Sequence, residues 1–259
     1  MPFTVSHAAA VLLFRRLKLI WSAFIIGSMA PDFPYIIGST RYRFIGHTLP
    51  GVLIFTLPAS LVALWLYHNL IKQPMVGLLP GGVQERLRAQ TANFQFGGAS
   101  RFVAILASIL LGVVTHVVWD SFTHAYTWPW KHFAWLRIRV YLPLVGPKPM
   151  YGILQYSSTA IGILALAIWI LLWYRQSAPA HPSVRKSPPK SRFGLALAMF
   201  AVAAFIGIVR AALLVGSPLT LAHADFFMLI FGVTTLALAF WQLVFYCVLV
   251  SSYQIWIVN

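Results

Sequence analysis

Five apolar runs dominate the chain, at roughly 49–71, 102–122, 158–174, 193–215 and 226–250. Each is close to the ~20 residues that a helix needs to cross a bilayer. Hydrocarbon offers no partner to a free backbone N–H or C=O, so runs of this length are restricted to helices. The expected fold is an all-α integral membrane protein, a bundle of about five transmembrane helices plus two short N-terminal helices. The third run is short, but Trp169, Trp173 and Tyr174 suit an interfacial end. A composition of 60% hydrophobic and 9% charged residues fits this class and excludes an ordinary soluble domain.

The N-terminal stretch, roughly 6–30, is also apolar, but Arg15-Arg16-Leu17-Lys18 breaks it. It reads as two short helices at the interface or folded back among the spans. Ser6 is a possible N-cap of the first, and Ala30-Pro31 is expected to end the second. The stretch 72–101 reads as a polar, Gly-containing loop. The Trp- and Pro-rich stretch 123–157 reads as a long loop that lids one face. Four prolines among Ser, Lys and Arg make 175–192 a flexible basic linker. The expected organisation is one membrane domain over 1–259: an interfacial segment 1–48, three spans within 49–174, the linker, and two spans within 193–250. The opening residues lack the basic n-region of a signal peptide, so none is expected.

The formal charge is +15. Its Lys and Arg residues lie between the apolar runs, so the expected partners are anionic lipid headgroups and not nucleic acid. Cys247 is the only cysteine and sits in an apolar run, which leaves no disulfide framework and no thiolate metal site. Five alternating spans divide the cations evenly. Nine fall on one face (Arg15, Arg16, Lys18, Arg41, Arg43 and four within 131–148) and nine on the other. The positive-inside rule then gives no orientation.

Only four residues are acidic: Asp32, Glu85, Asp120 and Asp225. A carboxylate in or against a bilayer is costly and usually has both a partner and a task. Asp120 lies in His116-Val-Val-Trp-Asp120-Ser-Phe-Thr-His124, and Asp32 lies between Ser6-His7 and Gly46-His47. His116 and Asp120 are four apart, on one helical face and about 6 Å apart along the axis. Antiparallel spans bring Asp32 and His47 to the same membrane face as His116, Asp120 and His124. His7 joins them if the N-terminal helices do not span. His124 lies about 12 Å along the axis from His116 if the helix continues. Either the helix ends near Phe122 and His124 folds back, or two ions sit side by side.

Imidazole and carboxylate together suit Zn²⁺, Mn²⁺ or Fe²⁺ better than Ca²⁺. The candidate ligands of one or two such ions, with zinc first, are His7, Asp32, His47, His116, Asp120 and His124. An ion pair of this kind can activate a water and clamp a phosphoryl or acyl oxygen. Asp32 or Asp120 would bridge or orient, and are the candidate catalytic residues. Arg41 and Arg43 are candidate substrate-binding residues that would hold a phosphate. Ser6, Thr48, Ser121 and Thr123 are candidate partners that orient the ligands. Blander readings compete. His116 and Asp120 also fit a neutral interhelical hydrogen bond, Asp32 and Asp225 fit helix caps, and the arginines fit headgroup contacts. Arg210, inside the fourth run, could pair with Asp225, snorkel or bind substrate.

The opening Met1-Pro-Phe-Thr-Val-Ser-His7-Ala-Ala, then Gly27-Ser-Met-Ala-Pro31-Asp32-Phe, Gly46-His47-Thr-Leu-Pro-Gly51 and His116-x₃-Asp120-x₂-Thr-His124 resemble a bacterial membrane family known as domain of unknown function 4184. That resemblance implies a protein integral to a bacterial inner membrane. The order of ligands is also similar to YdjM-type membrane-bound metal-dependent hydrolases and to the zinc-dependent phospholipase C and S1/P1 nuclease group. This likeness implies metal-dependent hydrolysis of a phosphoester, with the six His and Asp residues facing metal. The chain lacks the His-Gln-Pro run of the nuclease-type motif and offers few ligands for three zinc ions. The expected function is a metal-dependent hydrolase acting on a phospholipid or other lipid-linked phosphoester at the membrane interface. The alternative is a non-enzymatic, metal-stabilised scaffold or a small proton- or ion-coupled transporter.

Overall fold

The structure is a computed structural model that describes residues 4–36, 45–87, 94–143, 146–178, 192–215 and 224–258, without the side chains of Asp225 and 253–258. Five helices are long and apolar enough to cross a membrane. Around them the usual burial rule is inverted. Large apolar side chains such as Leu53, Ile54, Val114, Leu164 and Phe205 are exposed, while His116, Asp120, Ser108, Thr56, Thr234 and Thr235 are buried. This is the pattern of a helical bundle whose solvent is lipid. The protein is an all-α membrane protein with one small hairpin.

The chain divides into two compact units, residues 1–35, 39–61 and 96–169, and residues 36–38, 62–95 and 170–259. In the first unit a 3₁₀ helix, Thr4–Leu12, leads through a turn into α1, Trp21–Met29. Neither segment is long enough to span, so the N-terminus folds back among the helices. Ser6 is not an N-cap: the 3₁₀ helix begins at Thr4, and Ser6 is buried within it. The second helix does end at Ala30-Pro31, with Ala30 as its C-cap, although the chain keeps coiling beyond it. Pro31 sits at the start of a 3₁₀ turn, Ala30–Asp32, where its missing N–H has no helical duty, and Phe33–Ile36 continue as helix.

The first span, α2, runs Leu49–Gly77. It starts at Thr48, whose hydroxyl caps the Gly51 N–H at 3.2 Å. Two π-helical turns interrupt it, Val52–Thr56 and Tyr67–Ile71. Each lies just before a proline, Pro58 and Pro74, and each contains the residue four positions earlier, whose carbonyl a proline cannot bond. This device carries the helix past 71, so 72–77 are helical where a loop is expected. Within the same expected loop, Gly81–Leu87 form a further short helix.

The second span, α3, is Ala99–Thr123. Its buried residues Ile105, Ile109, Gly112, His116, Asp120 and Thr123 recur at helical spacing and define one inward stripe. That stripe packs on α1 with the backbones touching. A Cβ on Gly27 would strike the Ile109 carbonyl, and one on Gly112 would strike the Phe24 carbonyl. After α3 come a short helix, Trp128–His132, and an antiparallel hairpin of β1, Arg139–Leu142, and β2, Gly146–Pro149.

The third span, α4, runs Met150–Gln176 and begins eight residues before the apolar run at 158. The hydroxyls near its start are turned back on the helix. Ser157 donates to Leu154, and Ser158 and Thr159 donate to the Gln155 carbonyl, which removes their cost in lipid.

The second unit contains the hairpin of α5, Phe193–Val215, and α6, Ala224–Val258. Gly207 lets them close: a Cβ there would meet the Thr235 hydroxyl. Arg210 donates to the Thr234 hydroxyl at 3.0 Å.

Candidate metal centre

Asp120 lies three residues from the end of α3, and the site gathers around it. The helix terminates at Thr123, with His124 extended at φ −124°, ψ 148°. The chain cannot resume coiling directly, because Tyr126 takes a positive φ of 66° and Thr127 then caps the next helix. His124 therefore folds back, the first of the two alternatives its spacing leaves open. Its Nδ1 bonds the Asp120 backbone carbonyl at 2.9 Å and lies 3.8 Å from Oδ2 of the Asp120 side chain.

His116 is oriented from behind. The tight approach at Gly27 and Gly112 brings the Ser28 carbonyl to His116, whose Nδ1–H donates to it at 2.7 Å. That bond fixes the tautomer and leaves the Nε2 lone pair aimed at the carboxylates, the usual arrangement of a ligating histidine. Nε2 lies 3.4 Å from Asp120 Oδ2 and 3.8 Å from Asp32 Oδ1.

Asp32 is placed by the 3₁₀ turn that follows α1 and is buried at 2% exposure. Its Oδ2 accepts the Thr4 hydroxyl at 2.7 Å, which leaves Oδ1 for the cluster. His47 ends the 3₁₀ turn Ile45–His47. That turn lies flat on the Pro31 turn because Gly46 has no side chain; a Cβ there would strike the Pro31 carbonyl. His47 Nε2 thereby comes within 3.2 Å of His116 Nε2 and 3.3 Å of Asp120 Oδ2.

The donor atoms of Asp32, His47, His116 and Asp120 all lie within 4.8 Å of one another, an arrangement that could hold a metal ion. Two features support that fit. Nitrogen lone pairs 3.2 Å apart repel unless a proton or a cation lies between them. In a tetrahedral zinc site with bonds near 2.0–2.1 Å, neighbouring donors lie roughly 3.3 Å apart, close to the separations seen here. Asp32 Oδ1 and His47 Nδ1 are buried without a hydrogen-bond partner among the described residues. Buried polar atoms are seldom left so.

His7 stands beside this group of four. Its ring stacks on His116 at 3.9 Å, and its Nε2 is 3.3 Å from Asp120 Oδ1. Burial pushes its pKa below the ordinary histidine range, against the opposing pull of Asp120. Asp120 thus turns one oxygen toward His7 and the other toward His47 and His116. Among the described residues of the cluster, His47 and His124, at 25% and 33% side-chain exposure, are the most open.

All six expected His and Asp residues therefore lie together, four of them in the tight group and His7 and His124 at its edges. Arg41 and Arg43 lie outside the described residues, as does His223. The expected orienting hydroxyls fare differently. Thr123 reaches His124 Nδ1 at 3.3 Å. Thr48 caps α2, and Ser121 returns to the Val118 carbonyl of its own helix. Ser6 packs against Gly162 of α4. Thr4, whose hydroxyl bonds Asp32 of the tight group, is absent from the expected set. The signal for it is the three-residue spacing to His7, since 3₁₀ side chains three apart share a face. The Ser28 carbonyl has no side-chain signature.

Residues 1–248 match the family described as a domain of unknown function (DUF4184), and the chain belongs to it. No curated protein and no solved structure matches the chain.

Proposed function

We propose that this protein is a metal-dependent hydrolase that acts on a phospholipid or another lipid-linked phosphoester at the membrane interface. The observation that carries the reading is the convergence of Asp32, His47, His116 and Asp120 within 4.8 Å, with the His116 tautomer fixed by Ser28. Zinc is the first candidate for the ion, with manganese or iron next, because the donor set mixes imidazole and carboxylate. When bound, the ion supplies Lewis acidity to a water and to a phosphoryl oxygen.

The chain's own residues have separate tasks. Asp120 divides its oxygens between two sides of the cluster and can hold one or two ions in register. Thr4 keeps Asp32 from rotating. His7, neutral at physiological pH because burial opposes its charge, lines the side that Asp120 Oδ1 faces. His47 and His124 leave the path by which a headgroup reaches the site.

Depth favours this reading over transport. An ion-coupled transporter usually keeps its ionisable groups near the midplane, on broken helices. Here His116 and Asp120 occupy the last two turns of α3, at one end of the span.

The test is elemental analysis of the purified protein beside His116→Ala and Asp120→Ala. Wild type is expected to carry a stoichiometric transition metal and both variants to lose it; wild type free of such a metal defeats the site. Phosphoester turnover over a broad lipid panel, with and without chelator, then separates enzyme from scaffold. Chelator-sensitive turnover is expected, and equal, negligible rates would leave the cluster a structural staple.

A further inference from the structure

We infer that the N-terminal hairpin is a re-entrant element whose basic tip, Arg15-Arg16-Leu17-Lys18, engages anionic headgroups of the leaflet opposite the His/Asp cluster, and that the cluster therefore opens on the non-cytoplasmic side.

The depth of the tip follows from how α1 lies on α3. Ile20 N–H donates to the Ser108 hydroxyl at 3.0 Å, and the Ser28 carbonyl accepts from His116 at 2.7 Å. Both pairs are 88 residues apart in sequence, so α1 and α3 run parallel and in step. Tracing α1 backward from the cluster thus leads away from it. Ser108 is fifteen residues from Thr123, about 22 Å down the helix. A hydrocarbon core of about 30 Å leaves about 8 Å beyond that level. The residues from Ile20 to Lys18 cover part of it before the chain turns at Lys18, where Leu19 N–H donates to the Leu17 carbonyl at 2.8 Å, and long Lys and Arg side chains reach further.

The tip is built for that position. Phe14 packs on Phe24 of α1 at 5.7 Å between ring centroids, which ties the turn to the hairpin. Leu13 and Leu17 are 82% and 51% exposed, beside the exposed Arg15, Arg16 and Lys18. None of the three cations makes an ion pair among the described residues. Cations left in hydrocarbon are costly, whereas phosphates of the far leaflet are within their reach.

The consequence is an orientation. Sequence alone places these three cations on the cluster's face, where they make the count nine against nine. Moved to the other face, they leave six on the cluster's side and twelve opposite. The positive-inside rule then makes the twelve-cation face cytoplasmic. Any ion and any lipid phosphoester would reach the cluster from the other side. The inference rests on the five spans and not on the hydrolytic reading.

Single-cysteine labelling with a membrane-impermeant maleimide tests it in right-side-out and inside-out vesicles. The buried native Cys247 is the unreactive control, with Cys247→Ala as background should wild type react. Tyr141→Cys, 76% exposed on the hairpin after α3, reports the cluster's face. Leu13→Cys reports the tip, and Leu17→Cys replaces it if that variant does not accumulate. Tyr141→Cys is expected to label only in right-side-out vesicles and Leu13→Cys only in inside-out ones. Labelling of both from one side, the reverse sidedness, or a tip inert from both sides overturns the inference. None of these outcomes depends on metal content or turnover, which report on the proposed function separately.

Discussion

The pairs α1–α3 and α5–α6 both close on a glycine, yet among the described residues only the first builds a donor cluster. In the first, Gly27 and Gly112 press α1 against α3 until the Ser28 carbonyl reaches His116. In the second, Gly207 lets α5 approach Thr235 of α6. The contacts differ in kind. Gly112 faces the Phe24 carbonyl and the Ser28 amide, which are backbone and cannot move aside. Gly207 meets the Thr235 side-chain hydroxyl most closely, with the Phe231 carbonyl farther off at 3.1 Å. They differ also in what the neighbourhood contributes. Around α1 and α3 the chain returns several times, so Thr4, Asp32, His47 and His124 arrive from separate segments. In the α5–α6 hairpin the polar residues come from two successive helices, and the bonds between them, Arg210 to Thr234 and Arg192 to Tyr246, each join a charged group to a neutral one. Small residues thus give helix proximity in either place, but a site needs segments distant in sequence to end at the same level.

The largest effect should come from breaking the first contact. Gly112→Leu forces α1 away from α3, and overpacking at a backbone contact costs at least about 1–3 kcal/mol. It also withdraws Ser28 from His116. Metal content should fall to background and the midpoint of thermal unfolding should drop. Gly207→Leu should lower stability too, yet leave metal content at the wild-type level. Elemental analysis of both variants at matched purity decides the matter. Equal loss of metal in the two would mean that the glycine at α3 has no special link to the site.

A smaller effect isolates the support of one ligand. Thr4→Val keeps the shape but removes the hydroxyl that holds Asp32. Losing such an outer partner typically weakens metal affinity by about 10–100-fold, so titration with zinc against a competing chelator should show a shift of that order. His7 supplies a pH test. Burial holds its folded pKa below the ordinary value of 6.5. As pH falls from that value toward the depressed one, the unfolded chain takes up a proton that the folded chain refuses, so stability declines across that window. In metal-free protein, His7→Phe keeps a ring on His116 and should flatten this decline. Melting curves recorded as pH is lowered from neutrality check it, and an unchanged slope would remove His7 from the account.

Much of this is legible in the sequence. Apolar run length exposes all five spans, because lipid demands that backbone groups bond within their own helix. The His116–Asp120 pair shows through its i,i+4 spacing, and span alternation brings Asp32 and His47 to its face. What stays hidden depends on backbone and on depth. Nothing in a sequence marks the Ser28 carbonyl as a ligand's partner, and Thr4 signals only once the first helix is known to be 3₁₀. The start of α4 is masked by hydroxyls whose bonds to their own helix cannot be read from composition. Arg15, Arg16 and Lys18 look like the end of an interfacial helix, since only the parallel register of α1 and α3 reveals how far down they lie.

The smallest effect should come from the Arg210–Thr234 contact of the second pair. Thr234→Val removes the hydroxyl that accepts from Arg210, the same chemical change as Thr4→Val and again beside a charged group. The consequences should diverge because the alternatives open to the two charges diverge. Asp32 is buried and bounded by histidines, so its freed oxygen has nowhere to turn. Arg210 is exposed, five residues from the end of α5, and its guanidinium can swing toward headgroups. Side-chain hydrogen bonds between membrane helices average about 0.6 kcal/mol in any case. Unfolding of Thr234→Val in mixed micelles should therefore shift by no more than about 1 kcal/mol, with metal content unchanged. A loss several times larger would show that Arg210 is locked in the hairpin, and that the second pair, like the first, holds a charge that cannot find another partner.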